Sequence, residues 1–359
     1  MERRGSVRIT LMLACCSLSP FTLHLSPFTL HPSRLSAQHP TVAPSHLAKL
    51  SHTYSIVAYD SATGDLGVAV QSKFPNVGGI VPWARSGVGA VATQSLSNTD
   101  YGELGLELIG RGATAEEALR IIMRSDTMLQ DRQVGLVDAR GNAASFTGRN
   151  TFDWAGGRVG TPSGRGSVAG GKGQVIAGRG YSAQGNIIVS DQTVRNLAET
   201  FERTPGGLAD RLLAALKAGQ AGGGDKRGMQ SASLLVVRKH GGYLGANDRF
   251  IDIRVYDAPD PIAELERLLA LHKLHFFPSE PTDVVPITPE IVAQLEPIML
   301  AEPADQPQKW LRRRQRSATP EFVEALKNFM YWENYDVRVR SDGKIDRVVL
   351  EDILKKREE

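Results

Sequence analysis

The chain holds two cysteines, Cys15 and Cys16, both within its first 37 residues. From residue 38 onward no thiol can act as nucleophile, disulfide partner or metal ligand. Covalent chemistry there needs a Ser or Thr hydroxyl, or another oxygen or nitrogen group. Several polar residues stand where strands should end. Ser72 and Lys73 close the apolar stretch Leu66-Gly-Val-Ala-Val-Gln-Ser72. A lysine there would lower the pKa of a nearby amine or hydroxyl and orient it. In Gly87-Val-Gly-Ala-Val-Ala-Thr-Gln94, backbone N–H groups could receive an oxyanion, and Thr93, Gln94 and Ser95 add side-chain donors. Gln184 and Asn186 precede another apolar run, Ile187-Ile-Val189, where an amide can bind a substrate carbonyl. Asp225, Lys226 and Arg227 sit in a glycine-rich loop and could meet an acidic substrate group. For each of these residues a satisfied turn, core or surface group is the competing reading.

Other chemistries are poorly served. Gly222-Gly-Gly-Asp225 is not a phosphate-binding loop, because no Gly-Lys-Ser/Thr follows at the required spacing. His52, His240, His272 and His275 show no metal-ligand spacing; His272 and His275 are three apart on a helix but lack a third ligand. No metal and no cofactor are expected. The formal charge of +3 is accounted for by residues 1–37, where Arg3, Arg4, Arg8 and Arg34 stand against Glu2. The remainder is near neutral and carries no broad footprint for nucleic acid.

The positions of these groups depend on the elements around them. Residues 1–37 read as an export signal: a basic start, an apolar run, and a small-residue cleavage site at Ser36-Ala37. Met12-Leu-Ala-Cys15 loosely resembles a lipoprotein box. Pro20 and Pro27 interrupt the run, so it makes a poor membrane span. Residues 38–52 are a spacer or propeptide. From Thr53 onward, β-branched and aromatic residues predict strands at 53–59, 66–72, 87–93, 132–138, 143–148, near 154, 187–189, 232–237 and 250–256. Helical spacing predicts helices at 100–110, 114–123, 192–203 and 208–218, with a capping box at Thr114-Ala-Glu-Glu117. Residues 160–180 read as a glycine-rich loop without periodicity. Strand pairs that alternate with helix pairs fit a layered α+β sandwich better than βαβ winding. Pro259-Asp-Pro261 predicts a boundary, followed by a small helical tail over 258–359 with helices at 262–273, 289–300, 320–332 and 347–355.

Seven segments occur in order: Thr53-Tyr-Ser-Ile-Val-Ala, Gly67-Val-Ala-Val-Gln-Ser-Lys73, Val81-Pro-Trp-Ala84, Gly87-Val-Gly-Ala-Val-Ala-Thr-Gln94, Gln184-Gly-Asn186, Gly223-Gly-Asp-Lys-Arg-Gly-Met-Gln-Ser-Ala232 and Asp252-Ile-Arg-Val255. Together they resemble the domain of unknown function numbered 1028, grouped with the Ntn hydrolases, over residues 53–257. The resemblance implies a four-layer αββα sandwich. It also implies that Thr53, at the head of the first strand, is the nucleophile, with its own α-amino group as base. The segment 68–73 is also similar to the corresponding strand of proteasome β-subunits, which assigns Lys73 a catalytic part. Phe329-Met-Tyr-Trp-Glu-Asn334, Gly343-Lys-Ile-Asp346 and Val348-Val-Leu350 resemble the peptidoglycan-binding domain often appended to this family. There Tyr331, Trp332 and Tyr335 could stack on sugars or form core.

Two features depart from the pattern. Residues 161–180 look like an insertion, and His52 precedes Thr53, so cleavage after Ala37 would not expose Thr53. Two functions follow as expectations. One is an exported, periplasmic or secreted amide hydrolase acting from Thr53, with Ser72, Thr93, Gln94, Gln184, Asn186 and Asp225 around the substrate. The other is a non-catalytic scaffold that binds cell wall or a small ligand. The expected partners are a peptide or small-molecule substrate and peptidoglycan at the tail; a homo-oligomer is allowed.

Overall fold

The computed structural model describes residues 53–151, 153–164, 166–300 and 310–356. The expected signal segment and spacer lie outside the described residues. Two sheets form the body. The larger has seven strands in the order β12-β11-β2-β1-β10-β7-β9. These are β1 (Thr53–Tyr59), β2 (Leu66–Ser72), β7 (Trp154–Thr161), β9 (Lys172–Ala177), β10 (Tyr181–Ile188), β11 (Ser231–Val237) and β12 (Arg249–Val255). The smaller has five, in the order β3-β4-β5-β6-β8. They are β3 (Pro82–Arg85), β4 (Gly89–Ser95), β5 (Arg132–Asp138), β6 (Ala143–Thr147) and β8 (Ser167–Ala169). Neighbours pair antiparallel except β6 with β8 and β7 with β9, which are parallel.

Side-chain alternation builds the layers. Tyr54, Ile56 and Ala58 of β1 face one side and pack against α3 (Asp191–Arg203) and α4 (Leu208–Ala221) through Leu197, Phe201, Leu212 and Leu216. Val57 of β1, with Val68 and Val70 of β2, faces the other side and meets Ala90, Ala92 and Val137 of the smaller sheet. The far face of that sheet buries Val91, Val134 and Leu136 under α1 (Asp100–Gly110) and α2 (Ala115–Ile122). The result is an α+β sandwich with helices outside each sheet. Helix α2 opens with the expected capping box. Thr114 Oγ1 accepts from Glu117 N (3.2 Å), and Glu117 Oε2 accepts from Thr114 N (2.9 Å).

The segment 160–180 differs from the expected loop. It holds the end of β7 and all of β8 and β9, and β10 begins just beyond it at Tyr181. The glycines between and beside these short strands masked them, since glycine carries no strand propensity, yet at one crossing a missing Cβ is what lets the backbones pair. A Cβ on Gly156 would lie 1.7 Å from Lys172 O across the β7–β9 ladder. Strand β10 is also longer than the expected 187–189. A register shift after Gly185 marks a bulge there, with Ile187 at φ 51°.

The expected boundary at 258 does not end the first core. Helix α5 (Pro261–Phe276) buries Ile262, Leu265 and Leu269 in the same cluster as Tyr54 and Leu234. Its last turn puts Leu274 into a second cluster with α6 (Pro289–Leu300), α7 (Pro320–Trp332) and α8 (Arg347–Lys356). A short antiparallel pair, β13 (Val284–Pro286) with β14 (Lys344–Asp346), closes that second core. Buried Arg338 ties the two regions: its guanidinium donates to Leu274 O and Lys273 O and to the Asp346 carboxylate (2.6 Å). Tyr335 is core, with its hydroxyl donating to Asp352 Oδ2 and its ring stacked on His275, whereas Tyr331 and Trp332 are exposed.

Candidate active site

Thr53 begins the central strand β1 and lies opposite Ser72 of β2 on one side and Asn186 of β10 on the other. Ser72 in turn faces Ser231 of β11. Side chains of directly opposed residues share a face, so these groups gather at one end of the inter-sheet layer. Thr53 Oγ1 donates to Ser72 Oγ at 3.1 Å. The Thr53 carbonyl accepts from Gln94 Nε2 (3.2 Å) and from Asn186 Nδ2 (3.4 Å). Thr53 is 3% exposed.

Behind Thr53 the layer is polar. Gln133 Oε1 accepts from Gln94 Nε2 (2.7 Å) and Asn186 Nδ2 (3.0 Å). Its own amide donates to Thr147 Oγ1 (2.9 Å), Gly185 O (2.9 Å) and Gly156 O (3.2 Å). Ser55 Oγ donates to Gln94 Oε1 (2.5 Å) and accepts from Gln184 Nε2 (2.7 Å). Gly135 makes room for this packing, since a Cβ there would meet Gln184 Oε1 at 2.2 Å. Asn186 Oδ1 is buried and has no hydrogen-bond partner, which leaves one acceptor beside the head of β1 unused.

Of the residues singled out in the sequence, Thr53, Ser72, Gln94 and Asn186 converge directly, and Gln184 joins through Ser55. Lys73 and Asp225 also meet. Asp225 Oδ2 accepts from Lys73 N (2.9 Å) and from Arg227 Nη2 (3.1 Å), while the Lys73 ammonium donates to Met229 O (3.1 Å) at the surface. The loop carrying Asp225 is held by a bridge to Ile188, just past the bulge in β10. Thr93 is turned away from this group: its hydroxyl donates to Asn98 O (3.0 Å) and accepts from Asn98 N (3.2 Å). Residues 89–92 of β4 are paired on both sides, with β3 and β5, and residues 93–95 with β5. His272 and His275 are each engaged with a backbone carbonyl, of Phe250 and Asn334. Sequence reasoning missed Gln133 and Ser55. The available signal was a polar residue at the inward position of an otherwise apolar strand.

A family model described as a family of unknown function (DUF1028) matches residues 53–164 and 161–265, more than half of the chain. The chain belongs to this family. The two matched stretches overlap at 161–164, the start of the segment 161–180 expected to be an insertion. Among solved structures, DUF1028 protein SPO2555 from Silicibacter pomeroyi is similar: 28% identity, a TM-score of 0.52, and coverage of 62% of this chain and 90% of that one. No curated protein matches the chain. The site therefore rests on the DUF1028 portion, which holds every residue from Thr53 to Asp225 described above.

Proposed function

We propose that this DUF1028 protein is an exported amide hydrolase of the Ntn type, with Thr53 freed as the amino terminus and acting as nucleophile. The observation that carries the reading is the position of Thr53. It heads the central strand of a helix-flanked double sheet, with its hydroxyl 3.1 Å from Ser72 Oγ and its carbonyl held by two side-chain amides. Those contacts fix the residue that would react, as an efficient nucleophile requires. In the proposed reaction Thr53 Oγ1 attacks the amide carbonyl carbon and its proton passes to the α-amino group. Collapse of the tetrahedral intermediate expels the amine, which takes that proton, and water then cleaves the Thr53 ester. The unpartnered Asn186 Oδ1 is an unused acceptor on the residue opposite Thr53. Lys73 enters as a positioning residue: its backbone N–H on Asp225 and its ammonium on Met229 O hold the end of β2, and so Ser72, in place.

The test joins amino-terminal sequencing of the exported protein to turnover of an amide substrate. Thr53→Ala should abolish turnover and Thr53→Ser should retain part of it, since the hydroxyl survives. Turnover by a preparation whose sole amino terminus lies upstream of Thr53 would exclude the mechanism.

The burial of Thr53 and the engagement of the Gln94 and Asn186 amide nitrogens by Gln133 favour a second reading, a non-catalytic scaffold. A preparation with an upstream terminus and no turnover would support it. In either case peptidoglycan is the proposed partner of the tail, through the exposed rings of Tyr331 and Trp332. Loss of co-sedimentation with purified peptidoglycan on replacing both by Ala is the expected result, and unchanged co-sedimentation would sink that part.

A further inference from the structure

Strand β12 is the edge of the seven-stranded sheet, and among the described strands none pairs with its outer side. Edge strands are ordinarily blunted or covered, because their free N–H and C=O groups recruit another strand. Here the edge borders an open groove of about 1070 Å³, lined in part by Asp252, Ile253 and Arg254. Large apolar side chains stand exposed along the same groove: Leu244 at 87%, Tyr243 at 70% and Phe276 at 52%. Leu244 is held at φ 54°, in the left-handed region that costs a non-glycine residue energy. Tyr256, 63% exposed, follows directly after the strand. An apolar margin of this kind along an unpaired edge marks an interaction surface.

The charge pattern identifies the occupant. The sequence Arg249-Phe-Ile-Asp-Ile-Arg-Val-Tyr-Asp257 is complementary to its own reverse about Ile253. Two copies running antiparallel with Ile253 opposite Ile253 bring Asp252 of each opposite Arg254 of the other, and Ile251 opposite Val255. Asp252 and Arg254 share a face, because they oppose Leu235 and Ser233 of β11, two residues apart. The cross-strand charge pairs therefore fall on one side of the joined sheet, where opposed side chains interact. A register shift at Val236/Val237, opposite Phe250, confines the regular ladder to Ile251–Val255. Within one copy, Asp252 already accepts from Arg254 Nε (2.9 Å) and Arg249 Nη1 (2.7 Å), so these side chains are drawn along the edge before any partner arrives.

We propose that the protein forms a two-fold dimer by antiparallel pairing of β12 with β12 of a second copy, joining the two larger sheets into one. Such a contact is isologous and closes on itself, so it ends at two copies. The test is sedimentation of the full chain at micromolar concentration, with two opposite charge reversals. In Asp252→Arg every pair across the axis becomes Arg against Arg, and in Arg254→Asp every pair becomes Asp against Asp. Each variant should weaken self-association by at least ~10-fold. An equimolar mixture of the two variants restores Arg against Asp at every pair and should recover the dimer mass. Circular dichroism and thermal melting report whether each variant is folded. Should one fail to fold, Arg254→Gln paired with Asp252→Asn tests the same contact through weakened association. A monomeric wild type, variants that stay dimeric, or folded variants that fail to recover the dimer when mixed would each overturn the proposal.

Discussion

Gln133 has no exposed surface, and its amide joins both sheets through five hydrogen bonds. Its truncation removes side-chain contacts and strands Gln94, Asn186 and two backbone carbonyls away from water. Unpaired buried polar groups are costly, so Gln133→Ala should destabilise the fold by about 3 kcal/mol, measured by urea unfolding. A change within about 0.5 kcal/mol would mean the network contributes little. Asp126 makes a pH-dependent case. Burial pushes its carboxyl up, but hydrogen bonds from Arg132 Nε (2.8 Å), Tyr101 (2.7 Å) and Met128 N outweigh burial and hold it down at about 2. The folded value lies below the unfolded one, near ~4. The resulting stability is therefore fully present above ~4 and is lost as pH falls through about 2. Unfolding curves taken across that window should show a loss on the order of 1–2 kcal/mol, and Asp126→Asn should remove that dependence.

At the scale of elements, β9 depends on glycine in its neighbour. Gly156 faces Lys172 O so closely that a methyl group cannot fit, with 1.7 Å to the carbonyl oxygen. Gly156→Ala should unpair β9 from β7 while sparing the central strands, and amide exchange over 172–177 should quicken at least ~10-fold. Unchanged exchange there would show that the ladder can shift to admit a Cβ. The same strand order keeps β1 in the middle of its sheet, between β2 and β10. Thr53 is thereby fixed from both sides, while its strand carries the apolar helix-facing residues that anchor it.

At the scale of the molecule, α5 belongs to two cores at once. Ile262, Leu265 and Leu269 seal the sheet under α4, and Leu274 enters the tail core. A fragment ending at 257 uncovers the helix-facing side of β11 and β12, including Leu234 and Ile251. It should aggregate or unfold with lower cooperativity, whereas a fragment ending after α5 should stay soluble and melt in one transition. A soluble, cooperative 53–257 fragment would show that α5 is dispensable to the first core. The proposed dimer bears on the same surface, because its groove is lined by β12, α5 and Asn334 of the tail.

Local pattern was enough to read most helices, the capping box at Thr114, and the hairpin that sets Ser72 opposite Thr53. These depend on residues near one another in the chain, and their periodicity is written in side-chain type. The family resemblance over the first domain was also legible, and a family model matches there. Alternation along a strand tells which residues share a face, but not which sheet that face will meet. For that reason Gln133 and Ser55 could not be joined to Gln94 and Asn186 before the sheets were stacked. The full length of β7 and all of β8 and β9 were invisible because their pairing depends on glycines without side chains, such as Gly156, and on a partner backbone distant in sequence. Whether β12 is central or peripheral, and whether α5 serves one core or two, likewise follows from strand order and helix docking. Those are non-local contacts, and only the assembled tertiary structure decides them.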